Sequence, residues 1–171
     1  HTGGLSHLKT VLSNARLTAH PETLLEKQYL DGRNAGSLLR AEDLPYKLSL
    51  SRKPQKVSEH LTFLGEIPQL NDFEIRSQFG VHDAGGRFEP DFVMEDSALV
   101  YDAGESISII TGCSHAGICN IVQNAVALVF SASDAAAQLM QLAETKAVCV
   151  FDDDQCCVGY VHTNLNDSGG N

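Results

Sequence analysis

The chain has no tryptophan, and aromatic residues make up only 6% of its 171 residues. It also lacks an apolar run of about eighteen residues, the length that a membrane-spanning helix needs. Its first residues show neither the basic nor the apolar segment of a secretion signal. These absences argue against a membrane or secreted protein, and we expect a cytoplasmic location.

Positive charge is also scarce, because 12 Lys and Arg residues face 22 Asp and Glu residues and leave a formal net charge of −10. This balance argues against nucleic acid or an anionic membrane as the main partner and favours a small-molecule substrate. The five cysteines form neither a CxxC pair nor a zinc-finger spacing. We expect them to be reduced thiols, and the length allows little more than one full core.

Alternating apolar patterns predict an α/β protein with a mixed sheet flanked by helices. The predicted helices are Leu5–Leu12, Glu22–Tyr29, one that starts at Ile118, and Ser133–Met140. The predicted strands are Ala15–Ala19, Tyr46–Ser51, Leu61–Leu64, Ala98–Tyr101, Ser106–Ile110, Ala147–Phe151 and Cys157–His162. The stretch Asn71–Asp91 is rich in glycine and polar residues, and we expect a long loop there that shapes a pocket.

The most informative stretch follows the strand Ser106–Ile110. That strand stops at Gly112 and leads into Cys113, Ser114 and His115, just before the helix at Ile118. Polar side chains at the end of a strand and the start of a helix are where α/β proteins often hold ligands. A histidine there is either a metal ligand or a core residue that caps the helix, and the residues alone leave both readings open.

Several motifs occur in the order of one known family. These are His1-Thr2-Gly3-Gly4-Leu5, Phe63-Leu64-Gly65-Glu66-Ile67-Pro68, Asp72-Phe73-Glu74, Asp96-Ser97-Ala98-Leu99-Val100, and Thr111-Gly112-Cys113-Ser114-His115-Ala116-Gly117-Ile118 with Asn120. In this order they resemble the metallo-β-lactamase-fold metallohydrolases, in the branch similar to dihydropterin-ribofuranosyl-aminobenzene-phosphate synthase. The resemblance covers about residues 1–128.

The resemblance implies a partial αββα sandwich and a metal-dependent hydrolase. In such a protein a divalent metal, zinc first and manganese or iron next, activates a hydroxide that attacks an ester or phosphoester-type substrate. By position His1 and His115 match metal ligands, and Cys113 and Ser114 match groups that could orient His115 or only pack the turn. Asp96 matches an acidic position, for which a catalytic role and a turn-forming role both stay open.

Two departures from the family pattern matter. The family's His-x-His-x-Asp run stands before the residue that matches His1, so three expected ligands are absent from the sequence. We therefore expect a truncated form, in which the surviving ligands stay idle without partners. A first histidine that binds copper, as in secreted oxidative polysaccharide enzymes, is disfavoured by the low aromatic content.

The C-terminal part is the second departure. We divide the chain into residues 1–130, the metallo-β-lactamase-like domain, and residues 131–171. That second segment either completes the domain or resembles half of a cystathionine-β-synthase-type (CBS) nucleotide-sensing repeat. In the first case His162 takes the place of the family's last metal-binding histidine. In the second case the protein is a non-catalytic regulatory or binding protein, and a homodimer would be needed to complete the nucleotide site.

Overall fold

The computed structural model describes residues 2, 4–8, 14–104, 106–130, 148–151 and 157–164. The chain divides into two compact units, His1–Arg52 with Arg76–Glu95, and Lys53–Ile75 with Asp96–Asn171. In these described ranges, no helix has both the length and the apolar character needed to cross a membrane.

Eleven strands and four short or medium helices make up the described secondary structure. The strands are β1 Arg16–Ala19, β2 Lys27–Gln28, β3 Lys47–Leu50, β4 Gln55–Lys56, β5 Leu61–Phe63, β6 Gly80–Asp83, β7 Phe88–Asp91, β8 Ala98–Asp102, β9 Ser106–Thr111, β10 Val148–Phe151 and β11 Cys157–Asn164. The α-helices are α1 Leu5–Leu8 and α2 Ile118–Val129, and two 3-10 helices span Pro21–Leu24 and Ala41–Asp43.

The first unit contains two small sheets. Strands β1 and β3 form a parallel pair, and β2, β6 and β7 form an antiparallel sheet in that order. Lys27 in β2 is buried, and its ammonium lies 3.0 Å from the buried carboxylate of Asp91 in β7 and also bonds Glu95. This ion pair joins the two outer strands of the three-stranded sheet.

The second unit is built on a six-stranded antiparallel sheet with the strand order β10-β11-β9-β8-β5-β4. The register pairs Ala98 with Thr111 and Tyr160 with Ile110, while Phe63 lies opposite Leu99. Strands β5 and β9 therefore end, and β8 and β11 begin, at the same end of the sheet. We call this the site end of the sheet.

The core of the second unit lies between α2 and the sheet. In β9, Ile107 and Ile109 are buried, whereas Ile110 between them and the turn is half exposed, as the period-2 alternation of a strand requires. In α2, Ile121 and Ala125 are fully buried in the same cluster, at the spacing of one helix face. Burying each isoleucine contributes about 1.5–3 kcal/mol, so this packing fixes α2 on the sheet.

The structure confirms most of the predicted strands and the start of α2 at Ile118, and it corrects the expectations for two segments that precede β8. The helix predicted over Glu22–Tyr29 is wrong: a 3-10 helix ends at Leu24, and Lys27–Gln28 is a strand paired with β6. The long loop predicted over Asn71–Asp91 is wrong in its second half, where β6 and β7 form a hairpin. Residues with positive φ, Gly85 and Gly86, shape its tip.

The remaining helix and strand expectations concern the ends of the chain. Helix α1 starts at Leu5 as predicted, and it is described as far as Leu8. The predicted helix Ser133–Met140 lies outside the described residues. Strands β10 and β11 lie where the sequence predicts them, but β11 continues to Asn164, two residues beyond the predicted end at His162.

Candidate functional site

The stretch from Thr111 to Gly117 forms a tight turn at the site end of the sheet. Ser114 has a φ of +56°, and its carbonyl accepts a 2.9 Å hydrogen bond from the Gly117 amide. The hydroxyls of Thr111 and Ser114 share a hydrogen bond of 3.1 Å. The turn is therefore closed on itself by both backbone and side-chain hydrogen bonds.

His115 is an exposed residue within this turn, and the next residue, Ala116, is buried. The Ala116 amide donates a 2.8 Å hydrogen bond to Oδ2 of Asp96. The Ala116 carbonyl accepts a 2.9 Å hydrogen bond from Nδ2 of Asn120. Both backbone groups of Ala116 are thus held by side chains, which fixes the backbone next to His115.

Asn120, in the first turn of α2, is fully buried and links the turn to the loop that precedes Arg76. Its Oδ1 accepts hydrogen bonds from the amides of Leu70, at 2.7 Å, and Asn71, at 3.1 Å. It also accepts one of 2.9 Å from the Asn71 side chain. Its Nδ2 donates to the carbonyl of Glu74 at 3.1 Å as well as to Ala116. A buried amide with all these partners satisfied holds a single arrangement of the chain.

Glu74 supplies the cap of α2. Its carboxylate accepts hydrogen bonds from the amides of Cys119, at 3.1 Å, and Asn120, at 3.0 Å, while the N-cap residue itself is a glycine without a side-chain cap. Burial acts to raise the pKa of Glu74, but these backbone hydrogen bonds and one from Asn71 outweigh it, so the pKa lies below its usual value. Glu74 is therefore ionised at neutral pH, where the positive helix end stabilises it.

Cys119 is not suited to act as a nucleophile. Burial raises the pKa of its thiol, and the negative charge of Glu74 and a hydrogen bond to that carboxylate raise it further. A thiol with a raised pKa stays neutral and unreactive at physiological pH. The contact with Glu74 accounts for Cys119 as part of the packing around the α2 cap.

The structure brings four of the predicted site residues together: Asp96, Cys113, Ser114 and His115 all lie at the site end of the sheet. Asp96 holds the turn through Ala116, which is the turn-forming role that the sequence left open, and its predicted catalytic role is not tested. Cys113 is a half-buried thiol. The hydroxyl of Ser114 bonds Thr111. His1 lies outside the described residues.

His162 lies in β11 opposite Ser108 of β9, three positions before Thr111 in the register. The end of β11 pairs with the beginning of β9, so β11 runs away from the site end of the sheet. Strand β11 continues past His162 to Asn164, so the expectation that His162 ends its strand is wrong. Its metal-binding role remains a prediction.

A metal ion would find an incomplete set of donors in the part of the chain that the structure describes. No group of three His, Cys, Asp or Glu side chains is arranged there to hold one. Ser97, next to Asp96 in the sequence, has a buried hydroxyl without a hydrogen-bond partner. The described residues therefore do not fit a complete metal centre, and further ligands would have to come from elsewhere.

Glu74 and Asn120 belong to motifs of the sequence, but the sequence alone assigns them no role. The structure shows that they, with Asn71, hold the turn that carries His115. A signal was present, because a polar residue on the apolar face of α2 is unusual unless its hydrogen bonds are satisfied. Its partners could not be read from the sequence, because Leu70 and Asn71 lie 50 and 49 residues away.

Comparisons with known proteins place the fold. No family model matches the chain. The chain is 28% identical over 131 residues to the uncharacterized protein MJ0448 of Methanocaldococcus jannaschii, a match that covers 72% of the chain and 47% of that protein.

The fold is similar to the crystal structure of Tm1679, described as a metal-dependent hydrolase of the β-lactamase superfamily. The TM-score is 0.57 and the identity 24%, over 71% of this chain and 46% of Tm1679. The chain thus spans slightly less than half the length of each of these two proteins. The α+β architecture with a partial β-lactamase-like fold is confirmed.

Proposed function

We propose that the chain is part of a metal-dependent hydrolase of the β-lactamase superfamily that acts on a small ester or phosphoester-type substrate. Within the superfamily we assign it to the branch similar to dihydropterin-ribofuranosyl-aminobenzene-phosphate synthase. The support for this branch is the ordered series of motifs in the sequence, and the support for the superfamily is the likeness to Tm1679. The net charge of −10 is consistent with a small-molecule substrate rather than a nucleic acid.

One observation carries the proposal. Asp96, Glu74 and Asn120 come from separate motifs of the resemblance, and their side chains meet around the turn that carries His115. A set of polar side chains from distant parts of a chain, gathered at the end of a sheet below one exposed histidine, is typical of a site rather than of surface packing.

In this proposal His115 is a metal ligand and the residues below it fix its position. A divalent metal, zinc in the first place, supplies an activated water and stabilises negative charge on the substrate when it is bound. Because the described residues provide too few donors, the remaining ligands belong elsewhere, and His1, outside the described residues, is the candidate within this chain. The ligand role of His162, which lies in β11 opposite Ser108, stays a prediction from the sequence. Cys113 and Ser114 lie next to His115 and are suited to orient it.

The proposal is tested by hydrolysis assays on the intact protein with chromogenic ester and phosphoester probes. We expect activity that a chelator removes and that zinc or manganese restores. The His115→Ala variant should lose more than about a hundredfold in kcat/KM. The control is His60→Ala, because His60 precedes β5 at the opposite end of the same sheet, where its ring contacts Tyr101. Hydrolysis that resists the chelator and the His115→Ala change would contradict the proposal.

The alternative from the sequence is a regulatory protein with a CBS-like half-repeat in residues 131–171. The pairing of β11 with β9 supports the other assignment, in which this segment continues the main sheet. A calorimetric titration with an adenine nucleotide and, separately, with zinc distinguishes the two. Nucleotide binding without zinc binding would favour the regulatory protein.

A further inference from the structure

We propose that Asn120 and Glu74 are positioning residues for His115. With Asn71 they form what we call the clasp, a set of polar side chains that fixes the histidine-bearing turn to the start of α2 and to residues 69–75. The role assigned to His115 as a metal ligand rests on the proposed function. The mechanical role of the clasp rests on the hydrogen bonds alone.

Asn120 is the central residue of the clasp. It is fully buried, and an unsatisfied buried amide would cost about 1–3 kcal/mol. All of its partners belong to two segments, the loop at Leu70–Glu74 and the turn at Ala116. Any movement of the turn away from the loop would break several of these bonds together.

Helix α2 is capped by a residue from a distant part of the chain. Helices are usually capped by a Ser, Thr, Asp or Asn at the N-cap, which needs no distant partner. Here the N-cap is Gly117, with a φ of 89°, and the cap is Glu74, whose hydrogen bonds span 45 residues to Cys119 and 46 to Asn120. Glu74 packs so closely on Gly117 that a Cβ there would lie 2.5 Å from its Oε2. The long-range cap ties the loop to the turn, which a local cap would not do.

His115 lies between two residues that are held by hydrogen bonds. Ser114 before it is held through its hydroxyl and carbonyl, and Ala116 after it is held through both its amide and its carbonyl. His115 itself is an exposed residue. A metal ligand presented in this way loses little conformational freedom on binding, and groups that orient ligands typically account for about 10–100-fold in metal affinity.

The test uses the intact protein with the variants Asn120→Asp and Glu74→Gln. Asn120→Asp replaces the Nδ2 donor by an oxygen that faces the carbonyls of Ala116 and Glu74. Glu74→Gln keeps one acceptor oxygen and is the conservative change. The matched control is Asn34→Asp, the same chemical change at an exposed asparagine whose Oδ1 accepts a 2.7 Å hydrogen bond from the Gly36 amide.

Two quantities are measured well below the unfolding temperature: amide hydrogen exchange at Ala116 in the metal-free protein, and zinc affinity by calorimetry. For Asn120→Asp we expect exchange at Ala116 and the zinc Kd each to rise about 10–100-fold. For Glu74→Gln we expect smaller rises, and for Asn34→Asp changes of less than about twofold. A role in stability alone would lower the unfolding temperature without moving the zinc Kd.

Unchanged exchange at Ala116 in both clasp variants would overturn the clasp. Faster exchange with an unchanged zinc Kd, in a protein whose zinc binding depends on His115, would overturn the positioning role. Equal zinc affinity of the wild type and His115→Ala would instead overturn the proposed function. The exchange measurement in the metal-free protein keeps that failure distinct from a failure of the clasp.

Discussion

At the scale of single residues, Gly117 is the position where the turn allows least change. Its φ of +89° is unfavourable for any side chain, and an added Cβ would lie 2.5 Å from Oε2 and 2.7 Å from Cβ of Glu74. We expect Gly117→Ala to lower the free energy of unfolding in urea by about 1–3 kcal/mol, because it adds backbone strain and displaces the cap of α2.

Gly112 offers the matched control in the same turn, since a Cβ there would meet nothing within 4 Å. Gly112→Ala should change the free energy of unfolding by less than about 1 kcal/mol. Equal effects of the two substitutions would contradict the close packing of Glu74 on Gly117.

The lowered pKa of Glu74 predicts that the stability of the protein depends on pH. Because its pKa is lowered in the folded state from the ordinary value of 4.5, its contribution is present above that value and is lost as the pH falls through the folded-state pKa. Urea unfolding should show the wild type more stable than Glu74→Gln at pH 7, with a difference that narrows as the solution becomes more acidic than pH 4.5. A difference that stays constant between pH 7 and pH 3 would show that the carboxylate charge is not what caps α2.

The residue scale also shows what a sequence can and cannot supply. The turn around His115 was predicted, because a strand that stops at a glycine and a helix that starts after another glycine are local signals. The roles of Glu74 and Asn120 were missed, because each depends on partners more than 40 residues away. Asp96 is an intermediate case. The sequence predicts a turn-forming role as one of two alternatives, but only the structure shows that its partner is Ala116.

At the scale of elements, β2 is the clearest case of tertiary contacts overriding local preference. The sequence Glu22–Tyr29 follows Pro21 and suits a helix, yet Lys27–Gln28 pairs with β6. Lys27 and Asp91 are both buried and paired, and the ammonium also bonds Glu95. The hydrophobic periodicity of the sequence does not reveal an ion pair between distant segments. The helix prediction is wrong because it rests on that local pattern alone.

The ion pair leads to a prediction for the three-stranded sheet. Lys27→Met leaves the carboxylates of Asp91 and Glu95 without their cation, and we expect a loss of about 3–5 kcal/mol in the free energy of unfolding. Arg33→Met is the matched control, because Arg33 and Asp31 form an exposed pair with 76% and 55% of their side chains accessible. Its loss should stay below about 1 kcal/mol. Similar losses for both variants would contradict the role of the buried pair in holding β2.

Strands β8 and β9 and the start of helix α2 are predicted correctly because their signals are short in range. The alternation in β9 marks Ile107 and Ile109 as buried, and Ile121 and Ala125 mark the inner face of α2. The sequence does not predict the hairpin β6–β7, because its strands are only four residues long and the glycines at its tip are typical of a loop.

At the scale of the whole molecule, ordered motifs carried more information than composition. Composition argues against some classes of protein, whereas the series of motifs predicts the β-lactamase-like fold that the similarity to Tm1679 confirms. The strand order of the six-stranded sheet could not be predicted, because pairings such as β11 with β9 join segments about 50 residues apart. Such long-range pairings leave no local pattern in a single sequence.

Zinc binding to the intact protein tests the central claim, that His115 is a metal ligand, most directly. Calorimetry should compare the wild type, His115→Ala and the control His60→Ala, whose histidine lies at the opposite end of the same sheet. We expect the wild type and His60→Ala to bind zinc with equal affinity, and His115→Ala to bind it at least about a hundredfold more weakly. Equal zinc affinity in all three proteins would contradict the claim.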